Sequence, residues 1–217
     1  LKYMYDQDQN NLDAELIQLY DTNNLIIQEK VKEKSPLLIH NDKKINMTIQ
    51  SLIKSNPGYI IVQDNKYISF DSFEEKEKKI SVYQNEKVCK ELLIHPHIQR
   101  ISQLFTDKLN CNHNYDVSLY RDYQRITLSE NKHNLLIFKP IQSTIIFYLI
   151  NPKHKNDIIQ KDESTIKKWS HKIVLTENQI LSIPTNWYYF YETNENDTIL
   201  GKYYADTYFT FLYNSIR

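Results

Sequence analysis

The sequence predicts an α+β fold in which N-terminal helices and mixed strands pack on a C-terminal double-stranded β-helix, a jelly-roll barrel. In the first half, helical apolar stripes alternate with short strands. In the second half, about eight short apolar segments are separated by turns rich in Asn, Pro and Lys, which is typical of a double-layered antiparallel barrel. Residues 1–217 are expected to form one domain: a helical extension (1–34), a mixed α/β part (35–116) and a β-barrel core (117–217).

The net charge, the length of the apolar runs and the number of cysteines exclude several classes of protein. Lys plus Arg and Asp plus Glu both total 27, so the net charge is zero, whereas a general nucleic-acid binder carries a basic excess. No apolar run approaches the roughly 20 residues of a membrane span, and no signal peptide is visible. The two cysteines, Cys89 and Cys111, do not suit a disulfide scaffold or a zinc ribbon. We expect two free thiols, with a single bridge left open.

The composition points to an AT-rich genome. Tyr occurs 17 times and Gly only twice, and Asn, Lys and Ile, which have AT-rich codons, are abundant. A protist, a low-GC bacterium or a large DNA virus would fit this usage. With so few glycines, Asn and Asp are expected to form the turns, because they tolerate the left-handed region.

The first third of the chain is predicted to mix helices and strands. An apolar stripe predicts a helix that includes Leu12, Leu16, Ile17, Leu19 and Tyr20. Residues 25–27 are predicted as a short strand and the charged run 28–34 as a solvated turn or helix end. A strand at 35–40, a helix at 47–55 and strands at 59–62 and 66–70 follow.

The remaining chain is predicted to change from helix to strand. Residues 88–93 and 98–105 read as one or two helices broken near Pro96, and residues 110–116 as a polar loop. The turn between the third and fourth of the later strands is placed at 139–143. The predicted strands are 117–120, 124–128, 135–138, 144–150, 170–175, 179–183, 187–192 and 203–212.

The segment 180–192 is the most apolar and aromatic part of the chain. It reads as a strand that stops at Pro184, followed by a second strand led by Trp187. Because side chains alternate along a strand, Trp187, Tyr189 and Tyr191 are predicted to share one face, with Tyr188 and Phe190 on the other.

This segment resembles the I-P-x-x-W-W-H stretch of the JmjC-like cupins, the iron and 2-oxoglutarate-dependent hydroxylases. A second segment, residues 128–152, resembles their H-x-D-x-x-x-N run and the two strands after it, with Asn134 at the Asn and Pro152 at the closing proline. With the strand–helix entry that begins at Ser35, the resemblance covers most of the chain. It implies the double-stranded β-helix fold.

The resemblance also implies where an iron site would lie. The first His of the family's pattern falls on Leu128, the carboxylate on Glu130 and the distal His on Tyr189, and the 2-oxoglutarate lysine falls near Ser143 or Thr144. Non-haem iron needs two His and one carboxylate, so we expect no catalytic, cofactor-binding or metal residue here. The positions of the degenerate pocket are Leu128, Glu130, Asn134, Thr144, Trp187 and Tyr189.

Other histidines offer alternative sites. A shift of register would bring His133 near the pocket, although a surface position beside Lys132 is the simpler interpretation. His95 and His97 have His-x-His spacing, but their surroundings predict a helix. His113 and Asp116 suit an Asx-capped turn, and a nucleophile built from Cys111 and His113 is conceivable. His154 and His171 stand alone among lysines and are predicted to lie on the surface.

The resemblance and the missing iron ligands predict a non-catalytic pseudo-hydroxylase that serves as a structural or protein-interaction component. In its most specific form, this prediction is a protein of a large DNA virus. Its expected partners are proteins, without general nucleic-acid binding, and a homodimer is left open. An intracellular or virion-associated location is favoured. One alternative is an active oxygenase that uses Fe(II) and 2-oxoglutarate to hydroxylate protein or RNA. Another is a module that binds a small polar ligand or glycan in a Tyr-lined pocket.

Overall fold

The computed structural model describes residues 15–20, 24–41, 45–63, 66–73, 81–82, 86–105, 110–158, 161–194 and 196–216. Its first half mixes short helices and strands. In chain order these are β1 (Ile17–Leu19), α1 (Asn24–Lys32), β2 (Leu37–His40), α2 (Ile49–Ser55), β3 (Ile60–Gln63), β4 (Lys66–Ser69), a 3-10 turn (Phe70–Phe73), β5 (Ser81–Val82), α3 (Glu86–Glu91), α4 (His95–Ser102) and a 3-10 turn (Gln103–Phe105).

The second half is dominated by strands. It contains β6 (Asn110–Tyr120), β7 (Arg125–Glu130), β8 (Leu135–Gln142), β9 (Ile145–Ile150), a 3-10 turn (Pro152–His154), α5 (Lys155–Ile158), α6 (Glu163–Lys168), β10 (Ser170–Leu175), β11 (Gln179–Pro184), β12 (Tyr188–Thr193), β13 (Thr198–Thr207) and α7 (Tyr208–Ile216).

The fold contains two main sheets of unequal width. The wider sheet has seven strands in the order β1-β2-β11-β8-β13-β6-β5, and the narrower has four in the order β10-β9-β12-β7. A separate hairpin pairs β3 with β4. Because side chains alternate along each strand, every strand of the wider sheet sends one set of residues between the sheets and the other set toward the helices.

Three apolar clusters follow from this alternation. The inter-sheet core holds residues such as Phe138, Phe147 and Leu181. On the other face of the wider sheet, the N-terminal helices add Ile27, Ile53 and Ile98, among others, to a second core. A smaller third cluster covers the outer face of the narrower sheet. It contains Tyr148, Ile150, Ile158 and Phe190.

The α+β class is confirmed, with more residues in strands than in helices and most of the strands in two sheets. The described strands form separate sheets, and closure into a jelly-roll barrel stays a prediction. The predicted boundary at residue 117 falls within a strand. Strand β6 runs from Asn110 to Tyr120 across it, and β1, β2 and β5 join the same sheet as the later strands.

Two N-terminal elements differ from the predictions. Ile17–Leu19 is a strand, not a helix, because it pairs in parallel with β2 in a register that places Ile17 beside Leu37. Residues 25–27 belong to helix α1, not to a strand. Ile27 and Val31, one helical turn apart, pack on the same core, so tertiary contacts favoured the helix. The part of the first predicted helix before residue 15 lies outside the described residues.

Three later predictions are also corrected. The polar loop predicted at 110–116 is the first part of β6, because its polar residues pair with β13 from Lys202 onward. The turn predicted at 139–143 is shorter, because β8 continues to Gln142 and only then turns through Ser143 at a φ of 71°. The strand predicted at 203–212 ends at Thr207, whose hydroxyl accepts a hydrogen bond from the backbone N–H of Thr210 at 3.3 Å and so begins α7.

The other predicted strands and helices are confirmed within a few residues at their ends. Two helices form here, α3 ending at Glu91 and α4 beginning at His95, with Pro96 in the first turn of α4. Strand β11 and strand β12 form as predicted around a turn at Asn186, whose φ is 68°. An asparagine thus takes the left-handed conformation that a glycine often supplies elsewhere.

A glycine is needed at one point for close packing. A Cβ atom added to Gly201 in β13 would lie 2.9 Å from Cδ1 of Ile98. Helix α4 therefore approaches the wider sheet closely at this residue. Among the described residues, no helix is long and apolar enough to cross a membrane.

The two loops at one end of the sandwich are joined by Asn131, whose residue is only 1% exposed. Its side chain donates to the carbonyl of Ile183 at 2.8 Å and accepts from the N–H of His133 at 2.9 Å. Its backbone N–H donates to Trp187, and its carbonyl accepts from Asn186 at 2.7 Å. The β7–β8 loop and the β11–β12 turn are therefore fixed to each other by one residue.

Replacing Asn131 by alanine is expected to destabilise the protein. The change leaves one buried carbonyl and one partly buried N–H without partners, and each such group costs about 1–3 kcal/mol. We expect the free energy of unfolding, measured by urea denaturation, to fall by about 2–4 kcal/mol. The matched control is Asn114→Ala, because the Asn114 side chain makes only a 3.4 Å bond to Asn112. Equal losses in the two variants would contradict this role for Asn131.

Candidate functional site

The inward face of β13 changes from apolar to polar along its length. Leu200 lies in the inter-sheet core, and the alternation then sends Lys202 and Tyr204 to the same side. Lys202 is directly opposite Asp116 of β6 on one side and Phe138 of β8 on the other. A lysine and an aspartate thus point together into the space between the sheets.

The two charged groups modify each other's titration. Burial raises the pKa of Asp116 to about 6, although the Lys202 ammonium opposes this rise. Burial also lowers the pKa of Lys202, and Asp116 partly offsets this effect. Asp116 is 6% exposed and its Oδ1 accepts a hydrogen bond from the N–H of Val117 at 2.8 Å. Burial is the larger cause for both groups, so the protein loses hydration energy by holding them here.

Tyrosine hydroxyls extend this cluster toward the narrower sheet. The hydroxyl groups of Tyr120 and Tyr191 are 2.7 Å apart, and Ser118 also contacts the Tyr191 hydroxyl. The Tyr189 ring packs on Phe138 with centroids 5.4 Å apart. Burial raises the pKa of Tyr189 to about 12, so its hydroxyl stays protonated at neutral pH. We call Asp116, Ser118, Tyr189, Lys202 and Tyr204 the interior polar cluster.

The outer end of the interior polar cluster is ordered by ring contacts. The Lys202 ammonium lies 5.2 Å from the centre of the Tyr204 ring, which is a cation–π contact. The His133 ring packs on Tyr204 with centroids 4.2 Å apart. The Nδ1 atom of His133 is 3.0 Å from a carboxylate oxygen of Asp206. Tyr204 therefore lies between two polar groups that hold its ring in place.

A second buried lysine has a different environment. Lys139 of β8 is 1% exposed, and its ammonium donates to the backbone carbonyl of Glu177 in the β10–β11 turn. Burial lowers its pKa to about 8, and the Glu177 carboxylate opposes this change. The Glu177 side chain also accepts from the N–H of Ser143 at 2.9 Å. Lys139 and Glu177 therefore tie two turns together.

The pocket positions expected from the resemblance are only partly brought together. Trp187 and Tyr189 lie in the inter-sheet core with Tyr191, whereas Tyr188 and Phe190 join the outer cluster, so the predicted alternation is confirmed. Leu128 packs on the outer cluster. An irregularity in the pairing of β7 with β12, between Tyr189 and Tyr191, accompanies this orientation.

The remaining pocket positions lie at strand ends. Glu130 is directly opposite Tyr188, and Ser129 is opposite Tyr189. Asn134 lies next to the Asp206 side chain, to which its N–H donates at 3.4 Å. Thr144 is in the turn between β8 and β9.

These residues do not fit an iron site. Leu128 has no ligand atom and faces the outer cluster, whereas Tyr189 faces the inter-sheet core. Glu130 is itself the strand partner of the outward-facing Tyr188, so it lies on the same outer face. Across the described ranges, no group of three or more His, Cys, Asp or Glu side chains is placed to hold a metal ion. We derive no reaction step through iron or 2-oxoglutarate.

The structure also places most of the histidines that were considered as alternative sites. His95 and His97 lie on helix α4, as their surroundings predicted. His113 is in strand β6 instead of a turn, and its Nδ1 lies 2.6 Å from the Tyr203 hydroxyl. His133 is half-buried, with its Nδ1 against Asp206. His154 stacks on Trp169 with centroids 4.7 Å apart.

The cysteines do not form a site together. Cys89 and Cys111 are both free, Cys89 in the core behind the wider sheet and Cys111 exposed on β6. Burial raises the pKa of Cys89 to about 12, so this thiol stays protonated. The expectation of two free thiols is confirmed.

Sequence reasoning missed Lys202 and Asp116 as a pair. The predicted loop ended at Asp116 and the predicted strand began at Tyr203, so neither residue was assigned to an inward strand position. The signal that could have found them is the alternation of Leu200, Lys202 and Tyr204 with buried apolar residues. No protein-family model matches this sequence, and no curated protein matches it at a significant level.

Asp116 predicts a specific pH dependence of stability. Its folded-state pKa of about 6 is above the ordinary 3.8, so the native state keeps a proton that the unfolded state loses, and stability falls as pH rises through this interval. Asp116→Asn removes this titration. At pH 7 we expect the variant to be more stable than the wild type by on the order of 3 kcal/mol, a gain that shrinks toward pH 4.

Urea denaturation at several pH values between 4 and 7 measures this difference. The matched control is Asp71→Asn, because Asp71 is exposed outside the sheets. A stability difference between Asp116→Asn and wild type that does not change with pH would contradict the assigned environment.

Proposed function

We propose that this chain is a non-catalytic pseudo-hydroxylase that acts as a structural or protein-interaction component. The observation that carries the proposal is the position of Tyr189. The resemblance expects a metal-binding histidine there, and the phenol ring instead packs among Phe138 and Tyr191 in the inter-sheet core. A role in the virion of a large DNA virus, suggested by the composition, belongs to the same proposal.

The packing around Tyr189 supports a structural use of the pocket. Phe138 contacts Phe147, Tyr189 and Tyr191 with ring centroids 4.9, 5.4 and 6.0 Å apart. Aromatic pairs at these separations stabilise a core beyond the area that they bury. These rings join β8 of the wider sheet to β9 and β12 of the narrower one, which supports a structural role for the position of Tyr189.

A surface for protein partners is provided by helix α7. Tyr208 and Phe209 are 62% and 50% exposed, and Phe211 is also exposed. The helix Tyr208–Ile216 contains no charged residue. Exposed aromatic side chains are the residues that most often dominate protein interfaces. The partner that fits this face is a protein with an apolar, uncharged patch.

The first test is metal and cosubstrate binding. The purified protein, incubated anaerobically with Fe(II) and 2-oxoglutarate, is expected to retain no stoichiometric iron and to keep its melting temperature. A site saturated to 100 times its Kd would stabilise the fold by about 2.7 kcal/mol, which thermal denaturation detects. Stoichiometric iron with a rise in Tm, or 2-oxoglutarate turnover, would show that the chain is an oxygenase and would overturn the proposal.

The second test concerns helix α7. Tyr208→Ser with Phe209→Ser is expected to abolish cross-linking to a specific protein partner in cells that express the chain, with little change in Tm because both side chains are exposed. Tyr67→Ser is the control, since Tyr67 is 82% exposed on the β3–β4 hairpin. Equal loss in the control, or unchanged cross-linking in the double variant, would argue against α7. Sedimentation of the purified protein separates a homodimer from a different partner.

A further inference from the structure

Strand β10 is the end strand of the narrower sheet, and within the described part of the chain it pairs only with β9. No backbone hydrogen bond joins residues 171–175 to any described segment other than β9. Half of the backbone N–H and C=O groups of an end strand point away from its neighbour, where a further strand can pair with them. Strand β10 therefore offers an open edge.

Positive charge is concentrated beside this edge. Residues 153–172 contain six lysines and three acidic residues, although the whole chain is neutral. Four of the lysines are exposed and have no hydrogen bond or ion pair with a described residue. The ring of Trp169, which is 44% exposed, stacks on His154, so the two segments that carry these lysines lie side by side. We call the four lysines and the tryptophan the basic edge: Lys153, Lys155, Lys168, Trp169 and Lys172.

Three carboxylates that neighbour these segments are already bonded. An oxygen of Asp157 lies 3.1 Å from Nδ1 of His154. The Asp162 side chain accepts from the hydroxyl of Thr165 at 2.6 Å. The Glu192 carboxylate is paired at 2.9 Å with Lys167, which is not part of the basic edge. These acidic groups therefore leave the charges of the basic edge uncompensated.

An edge of this charge disfavours pairing with a second copy of itself. Pairing β10 with β10 of another molecule would bring Lys168 and Lys172 of both chains together, and like charges on neighbouring strands destabilise a sheet. Lysine on an exposed end strand is a common device against such self-association. A strand of opposite charge gains from the same positions, because cross-strand pairs of opposite sign stabilise a sheet.

We propose that β10 binds an extended acidic segment of a partner protein, which joins the narrower sheet as an additional strand. The partner's backbone bonds to the open edge, and its carboxylates lie beside Lys168 and Lys172. The proposal rests on the proposed role as a protein-interaction component. It adds a second surface with a different class of partner, because helix α7 carries no charged residue.

The alternation along β10 defines the partner's sequence pattern. Lys172 lies opposite Tyr148 of the outer cluster and is exposed on the outer face, whereas Ile173 and Leu175 are buried toward the inter-sheet core. A residue directly opposite Lys172 on an added strand has its Cβ atom about 4.5–5.5 Å away. We expect acidic residues at alternate positions, so that they share the outer face, with β-branched residues between them.

Fluorescence anisotropy of the full chain at pH 7 tests the proposal with three labelled peptides. The first alternates Glu with Val, and the second alternates Lys with Val. The third is the Glu–Val peptide with every backbone nitrogen methylated, which keeps the charges and removes the N–H donors that a sheet requires. We expect the Glu–Val peptide to bind at least about tenfold more tightly than either of the others. Its affinity should fall as salt is added, because the charges are exposed.

Charge reversal on the protein separates loss of the surface from loss of the fold. Lys168→Glu combined with Lys172→Glu should weaken the Glu–Val peptide at least about tenfold and strengthen the Lys–Val peptide, a gain that a misfolded protein would not show. The matched control is Lys54→Glu, because Lys54 is exposed on helix α2. The control should change the binding of neither peptide.

No binding of the Glu–Val peptide would overturn the proposal, and so would equal binding of its methylated form, which would show attraction of charges without strand pairing. Tighter binding of a single-stranded oligouridine, lost in Trp169→Ala, would replace the proposal with a nucleic-acid site. Tyr208→Ser with Phe209→Ser should leave peptide binding unchanged. Loss of peptide binding alone would refute the basic edge, whereas iron binding would challenge only the non-catalytic assignment.

Discussion

The four hydrogen bonds of Asn131 set the geometry on which the sandwich depends. Three of them join the loop after β7, in the narrower sheet, to the turn between β11 and β12, which crosses from the wider sheet to the narrower one, and the fourth, from the N–H of His133, holds the loop itself. Because the Asn131 backbone and side chain both bond to groups of the β11–β12 segment, one buried residue fixes the two loops at this end. Tyr189, three residues after Asn186, is thereby directed into the inter-sheet core.

The space between the two sheets holds both an aromatic core and a charged pair. The rings around Phe138 bury large apolar areas and stabilise the sandwich, and this gain offsets the cost of keeping Asp116 and Lys202 out of water. Replacing both charges with apolar residues would be expected to raise stability. A fold that keeps them therefore loses stability at this point.

Much of the fold was predictable because its signals are local. The alternation in 179–192 gave strands β11 and β12 and the correct faces for Trp187 and Tyr189, since a period of two is read directly from the residues. Ile17–Leu19 was missed because its strand depends on a distant partner, Leu37. The first part of β6 was missed because polar residues such as Asn114 line its inward face, where the sequence pattern indicates a loop.

The candidate site could not be predicted from the sequence for the same reason, because pairing between distant strands brings its residues together. Whether Leu128 faces inward depends on a pairing irregularity between β7 and β12 that no spacing in the sequence reveals. Lys202 and Asp116 are 86 positions apart in the chain, and only the register of β6 against β13 makes them neighbours. A motif transferred by spacing alone thus selects Leu128, whereas the physical pairing of strands selects Lys202. Because the inward positions near Tyr189 are defined by pairing, the residues that face the space between the sheets follow from strand register and not from motif position.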